Sequence, residues 1–180
     1  YNILSKKVKD IKLLDLLKKI IYSNEGKTGL AIGNYTSQMF ANIYLNEIDQ
    51  YVKNTLNAKY YFRYMDDSIL LIKTKEEAIE KLKRIKEFLE KKLELKLNNK
   101  TQIFKNKQGV NFCGYKINEY RLKIRDRGKR KLKEKVKKLT KEIKEGKINS
   151  KDAKKYLCGH LGYLKIANTY NIENKLFEKE

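Results

Sequence analysis

The run Tyr61-Phe62-Arg63-Tyr64-Met65-Asp66-Asp67-Ser68-Ile69-Leu70-Leu71 constrains this chain more than any other stretch. Two β-prone segments, aromatic and aliphatic, flank two adjacent carboxylates. The pattern predicts a tight hairpin with Asp66 and Asp67 at its tip. Two like charges side by side repel, and no immediate neighbour neutralises them. A divalent cation is the simplest partner for such a pair, and hard oxygen donors at a strand turn suit Mg²⁺. The alternative is an ordinary solvated turn, because Asp is a common turn residue. Flanks that read as buried on both sides argue against it.

Charge narrows the partners. Lys+Arg 43 against Asp+Glu 22 gives a net charge of +21. An excess of that size opposes compactness and calls for a polyanion, with nucleic acid first and an anionic membrane surface second. No apolar run approaches the length needed to span a membrane, and no signal-peptide pattern is visible. Cys113 and Cys158 match no metal-ligand spacing and are expected to be buried, reduced thiols, as in a cytoplasmic protein. With His160 the single histidine, a His-based zinc site or triad has little support. The chain opens at Tyr1 and reads as the continuation of something longer.

Periodicity predicts an amphipathic helix over 6–22, with Val8, Ile11, Leu14, Leu17 and Ile21 inward. A glycine-bearing loop spans 23–35. Its Gly26-Lys27-Thr28 lacks the upstream glycine of a phosphate loop, since Ile21 stands there. A second helix is expected from Thr36 to about Leu56, with Phe40, Ile43, Ile48, Val52 and Leu56 inward. After the hairpin, Thr74 and Glu77 form a capping box for a third helix, with Ala78, Leu82, Ile85, Leu89 and Leu93 buried. Short strands are expected at 95–97, 102–104 and 111–117. Helices mixed with hairpin-like strands give an α+β layer, an antiparallel sheet covered by helices.

Composition changes after Glu119. Residues 121–141 hold twelve Lys/Arg and two acids, with an apolar stripe of Leu132, Val136, Leu139 and Ile143. The rest of that surface is positive and short of acidic i,i+4 partners, which favours a nucleic-acid backbone over a merely solvated face. Arg127, Lys129, Arg130, Lys133 and Lys137 are the expected backbone contacts. Gly146 is the expected helix stop. Ser150 is expected to cap a further helix with Ala153, Leu157, Leu161 and Leu164 inward and close approach at Gly159 and Gly162. A last short helix would hold Ile172 and Leu176. The expected division is 1–119 and 120–180, the second part all-helical.

Four segments, in order, carry a family resemblance. They are Gly29-Leu30-Ala31-Ile32-Gly33-Asn34-Tyr35-Thr36-Ser37-Gln38, the Tyr64-Met65-Asp66-Asp67 turn, Leu97-Asn98-Asn99-Lys100-Thr101, and Asn111-Phe112-Cys113-Gly114-Tyr115. Together they resemble reverse transcriptases, RNA-directed DNA polymerases whose Tyr-x-Asp-Asp turn holds the catalytic metals. The resemblance covers nearly the whole chain. It implies a right-hand polymerase fold, with a palm (antiparallel sheet, helices on one side) in 1–119 and an all-α thumb in 120–180. It implies two Mg²⁺ ions, an RNA template, a DNA primer and product, and deoxynucleoside triphosphates.

Residue by residue, the resemblance makes Asp66 and Asp67 catalytic metal ligands. It sets Ile32, Gly33, Ser37 and Gln38 near template and nucleotide. Tyr64, Met65, Phe112, Gly114 and Tyr115 come near the primer end, and Lys100 is a weak candidate for a phosphate contact. Most reverse transcriptases carry Gln-Gly-x-x-x-Ser-Pro in the first segment. Ile32 and Gln38 instead make it similar to the enzymes of diversity-generating retroelements, beside bacterial group II intron-like relatives. The tail Gly159-His160-Leu161-Gly162-Tyr163-Leu164-Lys165 with Asn168-Thr169-Tyr170 is similar to that group too. Such enzymes copy RNA with errors opposite adenine and work with a small basic accessory protein. Ala31 stands where Pro is common. Losing a hydrogen-bonding side chain at Ile32 offers a route to low fidelity.

The resemblance also implies a further metal-binding Asp on a strand before the first helix here. Asp10 and Asp15 lie in a helical pattern and do not supply it. The 180 residues by themselves are therefore expected to be catalytically incomplete. The alternative function is a polymerase-like module that binds nucleic acid without catalysis. Retention of both carboxylates favours the enzyme, since paired negative charges oppose phosphate binding.

Overall fold

The structure, a computed structural model, describes residues 1–23, 29–30 and 33–177. Gly26-Lys27-Thr28, Ala31 and Ile32 lie outside the described residues. The chain forms two compact units, Tyr1–Ile103 and Phe104–Glu180.

The first unit runs α1 (Asn2–Ser5), α2 (Ile11–Tyr22), α3 (Tyr35–Gln50), a π-helical turn (Tyr51–Thr55), β1 (Tyr60–Tyr64), β2 (Asp67–Leu71) and α4 (Lys75–Lys92). The helix expected from residue 6 starts later, because the Asp10 carboxylate accepts from the Leu13 N–H at 3.0 Å and caps α2. Ile11, expected inward, falls in the first turn and is 82% exposed. Burial rests on α3, the π turn and α4. Ile48, Val52, Leu56, Ala58, Ile85, Leu89 and Leu93 form one core, joined by Tyr61 and Leu70 from the hairpin. Each of its Ile, Leu and Val side chains contributes about 1.5–3 kcal/mol on full burial. Tyr51 stacks on Phe88 with ring centroids 4.2 Å apart. Thr74 caps α4 by accepting from the Glu77 N–H at 3.2 Å, while the Glu77 carboxylate turns to Lys81 at 3.4 Å.

The strands expected at 95–97 and 102–104 are not formed. Leu95 donates its N–H to the Leu89 carbonyl at 3.0 Å and packs with Leu97 against the core, so the segment folds back on the end of α4. The β1–β2 ladder has no third strand among the described residues.

The second unit holds a 3₁₀ turn (Asn106–Gln108), β3 (Val110–Phe112), β4 (Tyr115–Ile117), β5 (Leu122–Ile124), α5 (Asp126–Lys144), α6 (Ser150–Lys165) and α7 (Tyr170–Phe177). Its three strands form a separate antiparallel sheet in the order β3-β4-β5. The class is thus α+β, with two small sheets instead of one. Residues 111–117, read as one strand, are a hairpin. Cys113 at φ +46° and Gly114 at φ +88° make a two-residue turn with both centres left-handed, which matches strand twist. Strand β5 was not expected: Arg121-Leu122-Lys123-Ile124-Arg125 alternates, but over only three strand residues and inside the basic run.

Ile124, Leu132 and Leu164 centre the second core, with Tyr115, Val136, Leu157, Leu161 and Tyr163 around them. The sheet therefore packs with the helices that follow it, and the compact units divide upstream of the composition change at 119/120. Gly146 at φ +67° ends α5 as expected. Asn149, not Ser150, caps α6, accepting from the Asp152 N–H at 2.8 Å. Gly159 and Gly162 are exposed, and a Cβ at either would meet nothing, so neither serves close packing. Cys113 and Cys158 are exposed, contrary to expectation: one sits at a turn tip, the other on the outer face of α6. Among the described residues no helix is long and apolar enough to cross a membrane.

Candidate active site

The β1–β2 hairpin is in perfect register from Tyr60↔Leu71 to Tyr64↔Asp67, leaving Met65 and Asp66 as its two-residue tip. Met65 takes φ +54°, unusual for a side chain with a Cβ and costing on the order of 1 kcal/mol. Strand alternation sends Tyr61 and Arg63 to the helical side. Tyr60, Phe62 and Tyr64 share the opposite, exposed face with Asp67. Asp66 and Asp67 are both exposed, and among the described residues neither forms an ion pair. The hairpin expected around the two carboxylates forms, with Asp66 in the turn and Asp67 opening β2; its strands, read as buried on both sides, are not, since alternation leaves Tyr60, Phe62, Tyr64 and Leu71 exposed.

What fixes the hairpin was not anticipated. Arg63 forks onto Asp49 of α3, with Nε donating to Oδ1 at 2.8 Å and Nη2 to Oδ2 at 2.7 Å. Its Nη1 donates to Asn42 Oδ1 at 3.1 Å and to the Met65 carbonyl at 2.8 Å. The Tyr61 hydroxyl adds a bond to Asp49 Oδ1 at 2.6 Å. Burial opposes ionisation of Asp49, but the Arg63 and Tyr61 hydrogen bonds outweigh it and hold the carboxyl below its ordinary value. Burial, then the hydrogen bond to Asp49 and its charge, pushes the Tyr61 hydroxyl far above its own.

Of the other expected positions in this unit, Gly33 takes φ +96° just before α3. Ser37 is half-buried and Gln38 exposed in the first turn of that helix. Gln38 lines an open depression with Lys7, Met39, Asn42 and Asn46. Lys100 is exposed at a turn where Asn98 Oδ1 accepts its backbone N–H at 3.0 Å.

Phe112, Gly114 and Tyr115 belong to the second unit, at the β3–β4 tip. Tyr115 stacks on Tyr163 of α6 with centroids 4.5 Å apart and donates to the Tyr163 carbonyl at 3.1 Å. The Tyr163 hydroxyl donates to the Gly114 carbonyl. Asn168 pairs with the β5 edge, accepting from Leu122 N–H at 3.0 Å and donating to the Leu122 carbonyl at 2.8 Å.

Helix α5 sorts the basic residues. At 100° per residue, Arg130, Lys133, Lys137, Lys141 and Lys144 fall on one stripe, opposite the packed Leu132, Val136 and Leu139. The stripe runs about 21 Å along the axis. Lys141 and Lys144 were not singled out from the sequence. Lys129 lies toward the packed side, half-buried and held by Asp126 at 3.1 Å. Arg127 is exposed beside the stripe. Acidic partners are less scarce than expected: Lys138–Glu142 and Lys141–Glu145 pair at 3.8 and 3.6 Å. Both pairs are exposed enough to contribute little.

Two adjacent, exposed carboxylates on a fixed turn fit a divalent cation by charge and donor type. Among the described residues no group of three His, Cys, Asp or Glu is positioned to hold a metal ion. No curated protein matches the chain. The family of reverse transcriptases (RNA-dependent DNA polymerases) matches residues 7–117, from the approach to α2 through the end of β4 and including the whole Asp66–Asp67 hairpin. With well over half of its length inside that match, the chain belongs to the reverse transcriptases, nucleotidyltransferases that build DNA on an RNA template.

Proposed function

We propose that this chain carries the metal-binding turn and a nucleic-acid grip of a two-metal DNA polymerase from a bacterial or phage retroelement. The observation that carries the proposal is the Asp66–Asp67 pair, exposed at the tip of a hairpin bolted to α3, within the segment the family matches. In this reading Asp66 is the direct metal ligand and Asp67 a second or outer ligand. Divalent cations bound there, Mg²⁺ by donor chemistry, would ease ionisation of a primer 3′-hydroxyl and offset charge on the departing pyrophosphate.

The chain's own residues do the rest. The first unit, with helices on one face of its hairpin, acts as the palm. Tyr64 and Met65 border the primer end, and the Cys113-Gly114 turn with Phe112 and Tyr115 grips the primer backbone. The α5 stripe tracks phosphates as part of a thumb. Ile32, Gly33, Ser37 and Gln38 lie by template and nucleotide, and Lys100 is held in reserve as a phosphate contact. Ile32 and Gln38, with the 159–170 tail, favour the error-prone diversity-generating type, which would work with a small basic accessory protein.

Primer extension on an RNA template tests the reading. The complete polymerase should incorporate deoxynucleotides with divalent cation and stop when a chelator removes it. Asp66→Asn should abolish addition while template–primer binding persists. Binding without incorporation by the unmutated enzyme would instead favour a non-catalytic module. Excess misincorporation opposite template adenine would support the error-prone assignment, and its absence would remove it.

A further inference from the structure

We infer that Arg63 is a positioning residue for the Asp66–Asp67 turn: its guanidinium holds the Met65 carbonyl, and with it the backbone that carries both carboxylates, against α3. The inference rests on the proposed catalytic role of that turn. Arg63 has three arms in one plane, and two of them are committed to Asp49. That fork fixes the plane, so the third arm, Nη1, is aimed and not free to wander. It reaches the Met65 carbonyl at 2.8 Å and is steadied by Asn42 at 3.1 Å. The pair is mostly withdrawn from solvent, with 13% and 19% of the Arg63 and Asp49 side chains exposed. It is therefore unlike a surface ion pair, which forms and breaks at little cost.

The turn needs such support for two reasons. Met65 sits in the left-handed region, which a residue with a Cβ keeps only when its surroundings over-determine it. Asp66 and Asp67 repel each other until a cation arrives, so an unsupported tip would splay. A clamp on the Met65 carbonyl meets both needs and leaves the carboxylates ordered before metal binds. Lysine cannot replace it: one ammonium can keep Asp49 company, but it has no second, aimed donor for Met65.

The test compares Arg63→Lys and Asp49→Asn with Asp66→Asn in the complete polymerase, with activity normalised to folded protein. Three quantities are read: amide hydrogen exchange at residues 65–67, the Mg²⁺ concentration for half-maximal rate, and kcat beside template–primer affinity. The expected result is faster exchange confined to the turn, a raised Mg²⁺ requirement, and kcat down on the order of tenfold to a hundredfold, with template–primer affinity unchanged. If Asp66→Asn is inactive while both clamp variants fold and keep turn exchange, Mg²⁺ requirement and kcat, the clamp inference falls and the site reading stands. If Asp66→Asn stays active, the site reading itself falls. If both clamp variants unfold at the assay temperature, the pair holds the fold and not the turn, and the inference is overturned.

Discussion

Gly114→Ala should damage the second unit by an amount that can be worked out contact by contact. Gly114 takes φ +88°, and a Cβ there would lie 2.7 Å from the Tyr163 hydroxyl and 3.4 Å from two of its ring carbons. The left-handed backbone alone costs an alanine about 1–2 kcal/mol. The contact at 2.7 Å then forces Tyr163 to move. Moving it gives up the hydroxyl's bond to the Gly114 carbonyl, worth about 0.5–1.5 kcal/mol net, and the Tyr115 stack, worth about 0.5–1.5 kcal/mol. The expected total is about 2–5 kcal/mol.

Native-state hydrogen exchange on the strand amides of β3–β5 reads this locally, without assuming that the two units unfold together. A double-mutant cycle separates the terms. Tyr163→Phe removes the atom that the new Cβ would strike, so in that background Gly114→Ala should cost only the backbone term, leaving a coupling of about 1–3 kcal/mol. A change below about 0.5 kcal/mol in the single variant, or an equal cost in both backgrounds, would refute the packing argument.

Four further outcomes are expected. Asp66→Asn should slow nucleotide addition in the complete polymerase by about a thousandfold or more, several kcal/mol of barrier, with Asp67→Asn milder; near-normal turnover in the first would move the metal site elsewhere. Replacing Arg130, Lys133, Lys137 and Lys141 with Glu should weaken nucleic-acid binding and reduce the slope of log K against log salt by about 0.7–0.9 per lost phosphate contact. Lys129→Gln, on the packed side, should change neither, and equal effects would break the stripe assignment. Because Asp49 titrates below its ordinary value, 3.8, its pairing stabilises the fold above that value and the contribution is lost as pH falls below it. Asp49→Asn should therefore flatten the acid limb of an unfolding-versus-pH curve, and an unchanged limb would contradict the pairing. On a primed RNA template the 180 residues alone should incorporate poorly, since the described ones bring no third ligand to Asp66 and Asp67; robust incorporation would show a ligand set complete without one.

The parts of the fold that were legible in the sequence are those whose signal is local. The α4 stripe, the Thr74 cap, the Gly146 stop and the hairpin around Asp66 each declare themselves within a few residues. The errors share a cause. Leu95 and Leu97 alternate like a strand, but a strand also needs a partner edge, and periodicity says nothing about partners. The Cys113-Gly114 turn escaped because Cys is a rare choice at a left-handed centre, so residues 111–117 looked continuous. Cys113 and Cys158 were expected inside on general tendency, yet a turn tip and an outer helix face decide exposure by geometry.

The two clamps were illegible for a stronger reason. Arg63 and Asp49 are 14 residues apart, and Tyr163 and Gly114 are 49 apart. No spacing rule connects such pairs; only the packed chain does. This bears on the tail segment that resembles one retroelement group. Within it Tyr163 bonds the Gly114 carbonyl, Asn168 pairs with the β5 edge through Leu122, and the Thr169 hydroxyl donates within the α6–α7 corner, to Leu164, Ala167 or Glu173. Tyr163 and Asn168 thus tie α6 and its end to the sheet, while Thr169 closes the corner between α6 and α7. Tyr163 in the tail and Gly114 in the hairpin are then one packed contact seen at two places in the chain, and changing both should cost less than the sum of the two single changes.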